Sequence, residues 1–232
     1  LVASGLYDRN KARRMPATPL RVGVVASSAS AAWADFVHEI ERSGLAFQLR
    51  LVDVRVQGEW AVTEVTAGVR TLGRHADLDV VVVIRGGGSR TELATFDHEA
   101  IAIAIATSPL PVFTGLGHEI DRAVADEVAH SSLKTPTACA AALVEHVQAF
   151  QQATELAWAA IERRAERALA AATAEVAEVA VGIRHRVVAA VERADERLAQ
   201  RGQRVRVGAG RVVERADVRL AGATAAVSRT PA

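Results

Sequence analysis

The chain has 232 residues with 28 Lys and Arg against 27 Asp and Glu, a net charge of +1, so any nucleic-acid binding must rest on local arginines and backbone donors rather than on a basic domain. Half of the residues are apolar but only 4% are aromatic, which leaves Val, Ala, Ile and Leu to build the core, and no apolar run approaches the roughly 20 residues of a membrane span. The single cysteine, Cys139, excludes an internal disulfide and a thiolate-rich metal site, and is expected to be a buried thiol in a reducing, cytoplasmic protein.

Residues 1–20 read as an N-terminal linker. They show neither the basic-then-apolar order of a secretory signal nor an initiator Met, and a fragment of a longer chain is expected. RVGVVA (21–26) is a short Val-rich strand. AAWADFVHEIERSG (31–44) places Trp33, Phe36, Val37 and Ile40 at helical spacing and closes on Gly44. FQLRLVDV (47–54) predicts a second strand, and EWAVTEVTAGVRTL (59–72) a second helix with Trp60, Val62, Val65, Val69 and Leu72 mostly on one side. DVVVVI (79–84) is a third strand, TELATFDHEAIAIAIAT (91–107) a third helix and LPVFTGL (110–116) a fourth strand.

Strands and helices alternating over short connections predict βαβ units and a parallel sheet, so residues 21–138 form one Rossmann-like α/β domain. The unbroken apolar run of the third strand marks it as central, covered on both faces. Residues 139–228 differ: between Cys139 and Gln200 there is no proline and one glycine, with apolar residues at steps of three or four. A continuous helix over that stretch would be about 90 Å long at ~1.5 Å per residue. It would project as a coiled-coil extension and need a partner. Three glycines in QRGQRVRVGAGR (200–211) predict a break there, with 212–227 returning as a shorter segment. Residues 1–138 hold 14 basic and 16 acidic residues, and residues 139–232 hold 14 and 11, so the helical half is the slightly basic one.

Ligands of open parallel sheets bind beyond the carboxyl ends of the strands. That rule selects SSAS (27–30), RVQGE (55–59), RGGGS (85–89) and GLGHEID (115–121). Gly86, Gly87 and Gly88 clear side chains from the end of the most hydrophobic strand, so backbone N–H groups can approach a bulky oxyanion. Arg85 would hold that anion with a forked pair of hydrogen bonds. Ser89 would cap the following helix and add a donor, and Ser27 and Gly117 complete the expected phosphate-binding set. His118 is the one general acid or base of these loops at neutral pH, and Asp121 would orient it or hold a metal. Asp35, early in the first helix, is a third candidate if its carboxylate turns toward the strand tips. His38, His75, His98, His130, His146 and His185 read as surface residues. No G-x-x-x-x-G-K-[ST] is present, and GLGHEI lacks the third glycine of a dinucleotide fingerprint.

Taken in order, GVVASSASAAWADF, VQG (56–58), RGGGSRTELATFD (85–97), GHEID (117–121) and KTPTACAA (134–141) resemble the large subunit of exodeoxyribonuclease VII, which carries such motifs in this order ahead of a long coiled coil. SSAS stands where that family more usually has Ser-x-Thr-Gly, which bears on the geometry of the first loop. The resemblance implies hydrolysis of single-stranded DNA from both the 5′ and 3′ ends with release of short oligonucleotides. It puts the family's important acidic, basic and histidine positions on Asp35, Arg85, His118 and Asp121. It also implies several small subunits on the helical region, and an N-terminal OB-fold and a closing C-terminal segment that these 232 residues do not include. A divalent ion, Mg²⁺ or Mn²⁺, between Asp35 and Asp121 is compatible with this set but not demanded by it. Two other readings are a non-catalytic phosphate- or nucleotide-binding module that recruits small subunits through its helices, and a Rossmann-like binder of a small nucleotide.

Overall fold

The computed structural model describes residues 1–87, 93–117 and 122–227, in two units, Leu1–Trp158 and Ala159 onward. In the first unit the strands are β1 (Arg21–Ala26), β2 (Gln48–Asp53), β3 (Val80–Ile84), β4 (Val112–Gly115) and β5 (Ser131–Leu133). All pair in parallel, in the spatial order β2-β1-β3-β4-β5. The helices are α1 (Ala31–Arg42), α2 (Ala61–Gly73), α3 (Glu99–Thr107), the short α4 (Val124–Val128) and α5 (Pro136–Val227), with a 3₁₀ turn at Ala94–Asp97.

The period-two geometry of a strand divides the sheet's side chains between two cores. Val25, Val81, Val83 and Val112 point to one face, where Val65, Val69 and Leu72 of α2 and Ile101 and Ile105 of α3 cover them. Val22, Val24, Ala26, Val80, Val82, Ile84 and Phe113 point to the other, covered by Phe36 and Ile40 of α1 and by Cys139, Ala140 and Leu143 at the start of α5. β3 is apolar at every position because both its faces are buried, as the continuous run predicts.

The segment ahead of β1 is tied into this unit by Asn10. Its carboxamide is fully buried, donates to the Leu110 carbonyl at 3.0 Å and accepts from the N–H groups of Val112 (2.9 Å) and His130 (3.1 Å). One side chain thereby fixes the entries to both β4 and β5.

Three expectations are corrected. The helix predicted over 91–107 is divided within its described part: His98 is extended (ψ 131°), and its Nδ1 accepts the Ala100 N–H at 3.2 Å, so it caps α3 instead of continuing a helix. His130 and His146 are structural rather than surface residues. The His130 ring stacks on Phe113 at 5.7 Å, its burial lowers its pKa, and His146 Nε2 meets the Pro16 carbonyl at 2.8 Å. The break predicted at 200–211 does not occur. In the second unit α5 runs unbroken through Gly202, Gly208 and Gly210, none of which has a positive φ. Their helix-weakening effect, about 0.5–1 kcal/mol each relative to Ala, is too small to end a helix with good formers on both sides.

Along the second unit Ile161, Leu169, Val176, Ile183, Val191, Leu198, Val205 and Val212 are all exposed, the last four spaced seven apart. That is the repeat of a coiled-coil seam. No helix among the described residues is long and apolar enough to cross a membrane.

Two substitutions test these contacts. A Cβ at Gly115 would lie 2.7 Å from Cys139 Sγ and 3.0 Å from the Thr135 carbonyl oxygen. Gly115→Ala should therefore destabilise the domain by ~1–3 kcal/mol. Adding Cys139→Ala should recover part of that loss in thermal melts, and strict additivity of the two changes would contradict the contact. A Cβ at Gly202, Gly208 or Gly210 meets nothing within 4 Å. The triple change to Ala should raise helicity and stabilise the helix by about 2 kcal/mol in sum, with a higher melting temperature; a lowered melting temperature would instead indicate a turn.

Candidate active site

The strand order sets the place. From β1 the chain crosses to β2 on one side, and from β3 it continues to β4 and β5 on the other. The connections leaving β1 and β3 therefore diverge, opening a crevice between their carboxyl ends. A cleft of about 420 Å³ is found there, lined by Ser27, Ala29, Ser30 and Ala31 after β1, Arg55, Val56 and Gln57 after β2, and Arg85, Gly86 and Gly87 after β3.

Each wall is locally built. Ser30 is the N-cap of α1: its Oγ accepts the Trp33 N–H at 3.2 Å and donates to the Ser27 carbonyl at 2.6 Å. The positive end of α1 then opens onto the cleft at Ala31, with no acidic residue in its first turn to oppose an anion. Asp53, at the end of β2, accepts both the Ser28 N–H and the Ser28 hydroxyl, each at 2.8 Å, tying the first loop to the second. The backbone bond from Ser28, then its hydroxyl, hold the Asp53 carboxyl below the usual carboxylate range. Arg55 is gripped by Glu64 of α2, which accepts from Arg55 Nε at 2.8 Å, from its Nη2, and from its backbone N–H at 2.7 Å. Arg85 is 2% exposed at the floor, and its N–H donates to the Gly115 carbonyl at 3.2 Å. Gly86 and Gly87 beside it present bare backbone.

The described lining thus holds two arginines, a helix N-terminus and no carboxylate. Arg55 is charge-paired with Glu64, so the α1 N-terminus, the bare backbone of Gly86 and Gly87 and Arg85 are the features of this lining that favour an anion. No three His, Cys, Asp or Glu side chains converge among the described residues.

Of the residues singled out in the sequence, the fold brings together Ser27, Arg85, Gly86 and Gly87. Asp35 is exposed and does not line the cleft. It lies four residues after Ala31, hence on the same helix face one turn farther in, and helical side chains lean toward the N-terminus. Gly117, with φ +74°, sits past the end of β4 outside the lining. Gly88, Ser89, His118 and Asp121 lie outside the described residues. Sequence reasoning passed over Arg55, Gln57 and Ser30 as individual contributors. The signal for Arg55 was its place directly after a strand, in a loop already selected.

The family model described as exonuclease VII, large subunit, matches residues 6–232. The chain belongs to that family. It is similar to the exodeoxyribonuclease 7 large subunit of Desulforudis audaxviator, with 40% identity over 169 residues, 73% of this chain and 41% of that protein. The corresponding protein of Syntrophotalea carbinolica is 37% identical over 152 residues, 66% of this chain and 38% of its own length. That of Thiobacillus denitrificans is 41% identical over 140 residues, 60% and 31%. The chain therefore spans less than half of the length of these exonuclease VII relatives.

The Ser28–Asp53 link has a pH signature. A carboxyl whose pKa is depressed on folding stabilises the folded state above its unfolded pKa, near 3.8, and loses that contribution as pH falls through the folded value. Asp53→Asn should be less stable than the parent at pH 7, with the gap closing as the pH drops below about 4. Denaturant titrations at pH 7, 5 and 3 measure it; a gap independent of pH would mean that the carboxylate's charge contributes nothing.

Proposed function

We propose that the chain is the catalytic part of a nuclease that hydrolyses phosphodiester bonds in single-stranded DNA, 5′ to 3′ and 3′ to 5′, releasing oligonucleotides. The observation that carries this reading is the arginine-lined cleft at the sheet's switch point, with buried Arg85 among its lining residues, in a chain of the exonuclease VII large subunit family. The scissile phosphate sits on Arg85 and the backbone of Gly86 and Gly87, with the α1 N-terminus opposite. These donors neutralise the charge that builds on the equatorial oxygens of the five-coordinate transition state, and they are in place before it forms. Gly88, Ser89, Ser27 and Gly117 extend the cradle.

His118 either activates the attacking water or protonates the leaving oxygen, and Asp121 and Asp35 orient it and the water. The sheet supports this division of roles. Gly115 pairs with Ile84, and its carbonyl takes the Arg85 N–H, so the chain that leads to His118 departs from beside the phosphate-binding arginine. The exposed apolar seam of α5 is the docking surface for several small subunits. It supplies one side of a coiled-coil interface that the second unit does not cover itself.

End-labelled single-stranded DNA and the full-length large subunit assembled with its small subunit provide the test. Arg85→Ala should slow hydrolysis by about 100- to 1,000-fold, the scale of losing one transition-state donor. Arg85→Lys keeps the charge but not the fork and should fall between. His118→Ala should remove cleavage. Because Arg85 is buried, thermal melts accompany each variant. Full activity of a folded Arg85→Ala enzyme would remove the assignment, and strand binding without cleavage by the parent would favour a non-catalytic assembly module. Parallel reactions in EDTA and in Mg²⁺ decide whether a divalent ion takes part.

A further inference from the structure

Trp60 is a large apolar side chain that neither the core nor the helix cap accounts for. It occupies the N-cap position of α2 yet makes no capping hydrogen bond, which Ser, Thr, Asp or Asn would supply there. It is 55% exposed, whereas Phe36, Phe96 and Phe113, aromatics packed on the sheet, are buried in the two cores; Phe150 and Trp158, also exposed, lie on α5. An indole left in water forgoes much of the burial that makes tryptophan stabilising.

Its surroundings connect it to the cleft. The Arg55 guanidinium lies over the ring, with Cζ 5.8 Å from the centroid. The same guanidinium is held by Glu64, so it is not free to wander, and Arg55 lines the cleft. One fixed cation therefore bridges an exposed aromatic face and an oxyanion site. In a single strand a base hangs one sugar away from its phosphate, and exposed aromatics beside a cationic groove are how proteins bind such strands without reading sequence.

We propose that Trp60, backed by Arg55, is a stacking platform for a base of single-stranded DNA whose neighbouring phosphate occupies the cleft. The inference rests on the reading of that cleft as a phosphodiester site. It adds a contact to a base beside the one to the phosphate, and that contact needs an accessible base, since in a duplex the π-face is already taken. It also implies little discrimination among the four bases, because each offers such a face.

The test uses the assembled full-length enzyme and two labelled probes of equal length: a phosphorothioate-linked oligothymidylate and a strand with the same linkages but no bases. Fluorescence anisotropy gives Kd for each. The parent should prefer the base-bearing strand. Trp60→Ala should weaken that strand about tenfold, within the range of one lost stacking contact, and hold the baseless strand within about twofold, so that the preference shrinks. Trp60→Phe should keep most of it. Unchanged affinity of Trp60→Ala for both probes overturns the proposal, and so does an equal loss for both. Arg85→Ala separates the two readings: it should weaken both strands alike, and if it weakens neither, the phosphate site itself is misplaced.

Discussion

The structure depends on what happens between β1 and β3. These two strands lie side by side and parallel, both buried on both faces, but their chains leave in opposite directions across the sheet. A right-twisted sheet packed on both faces has no spare surface for a ligand, so a site can only open where the outgoing connections part. Here that place receives a helix N-terminus from one strand and a buried arginine followed by glycines from the other. The hydrophobic run of β3 and the glycines after it are two sides of one requirement. The strand must be fully buried to hold its register, and its exit must be bare to admit a ligand.

The walls of the cleft are pre-ordered by contacts that are themselves polar. Ser28 is held to Asp53, Ser30 to Ser27 and the α1 backbone, and Arg55 to Glu64. Exposed pairs of this kind add little to global stability. Their effect is on geometry, since each removes a freedom that binding would otherwise have to freeze. Arg55 illustrates the point: as a loose surface arginine it would add only charge, but fixed by Glu64 it has a defined direction relative to both Trp60 and the cleft.

What was legible in the sequence follows from how local the cause is. β1 and β3 declare themselves through apolar runs, and α1 through its spaced apolar residues and closing glycine, although its serine cap was not read. The three loops that meet in the cleft follow from strand ends alone. β5 is only Ser131–Leu133, with no apolar period to betray it, and its entry is set by Asn10 more than a hundred residues earlier. No local pattern encodes such a contact. The division at His98 was hidden because the AIAIAIA that follows fits a helix with or without the turn before it. The glycines of 200–211 misled in the opposite direction, since a weak local penalty was read as a stop although the residues on both sides favour helix. Asp35 shows the limit for the site: its spacing from Ala31 is readable, but its distance from the ligand depends on how α1 packs through Phe36 and Ile40.

The sheet's register also constrains how the chemistry is shared among loops. Ile84 pairs with Gly115, and the Arg85 N–H is spent on the Gly115 carbonyl, so the roots of the third and fourth loops are joined by backbone. Gly115 cannot gain a side chain without meeting Cys139 and Thr135, which brings the start of α5 against the same root. Arg85, the exit toward the fourth loop and the beginning of the long helix thus share one packed junction. A change in any of them that shifts this junction would move Arg85 relative to the fourth loop. On the proposed mechanism, the loops that carry the phosphate-binding and proton-moving groups are joined at their roots by backbone pairing rather than by side-chain contacts. Gly86 and Gly87 after Arg85 can then remain bare without loosening this junction.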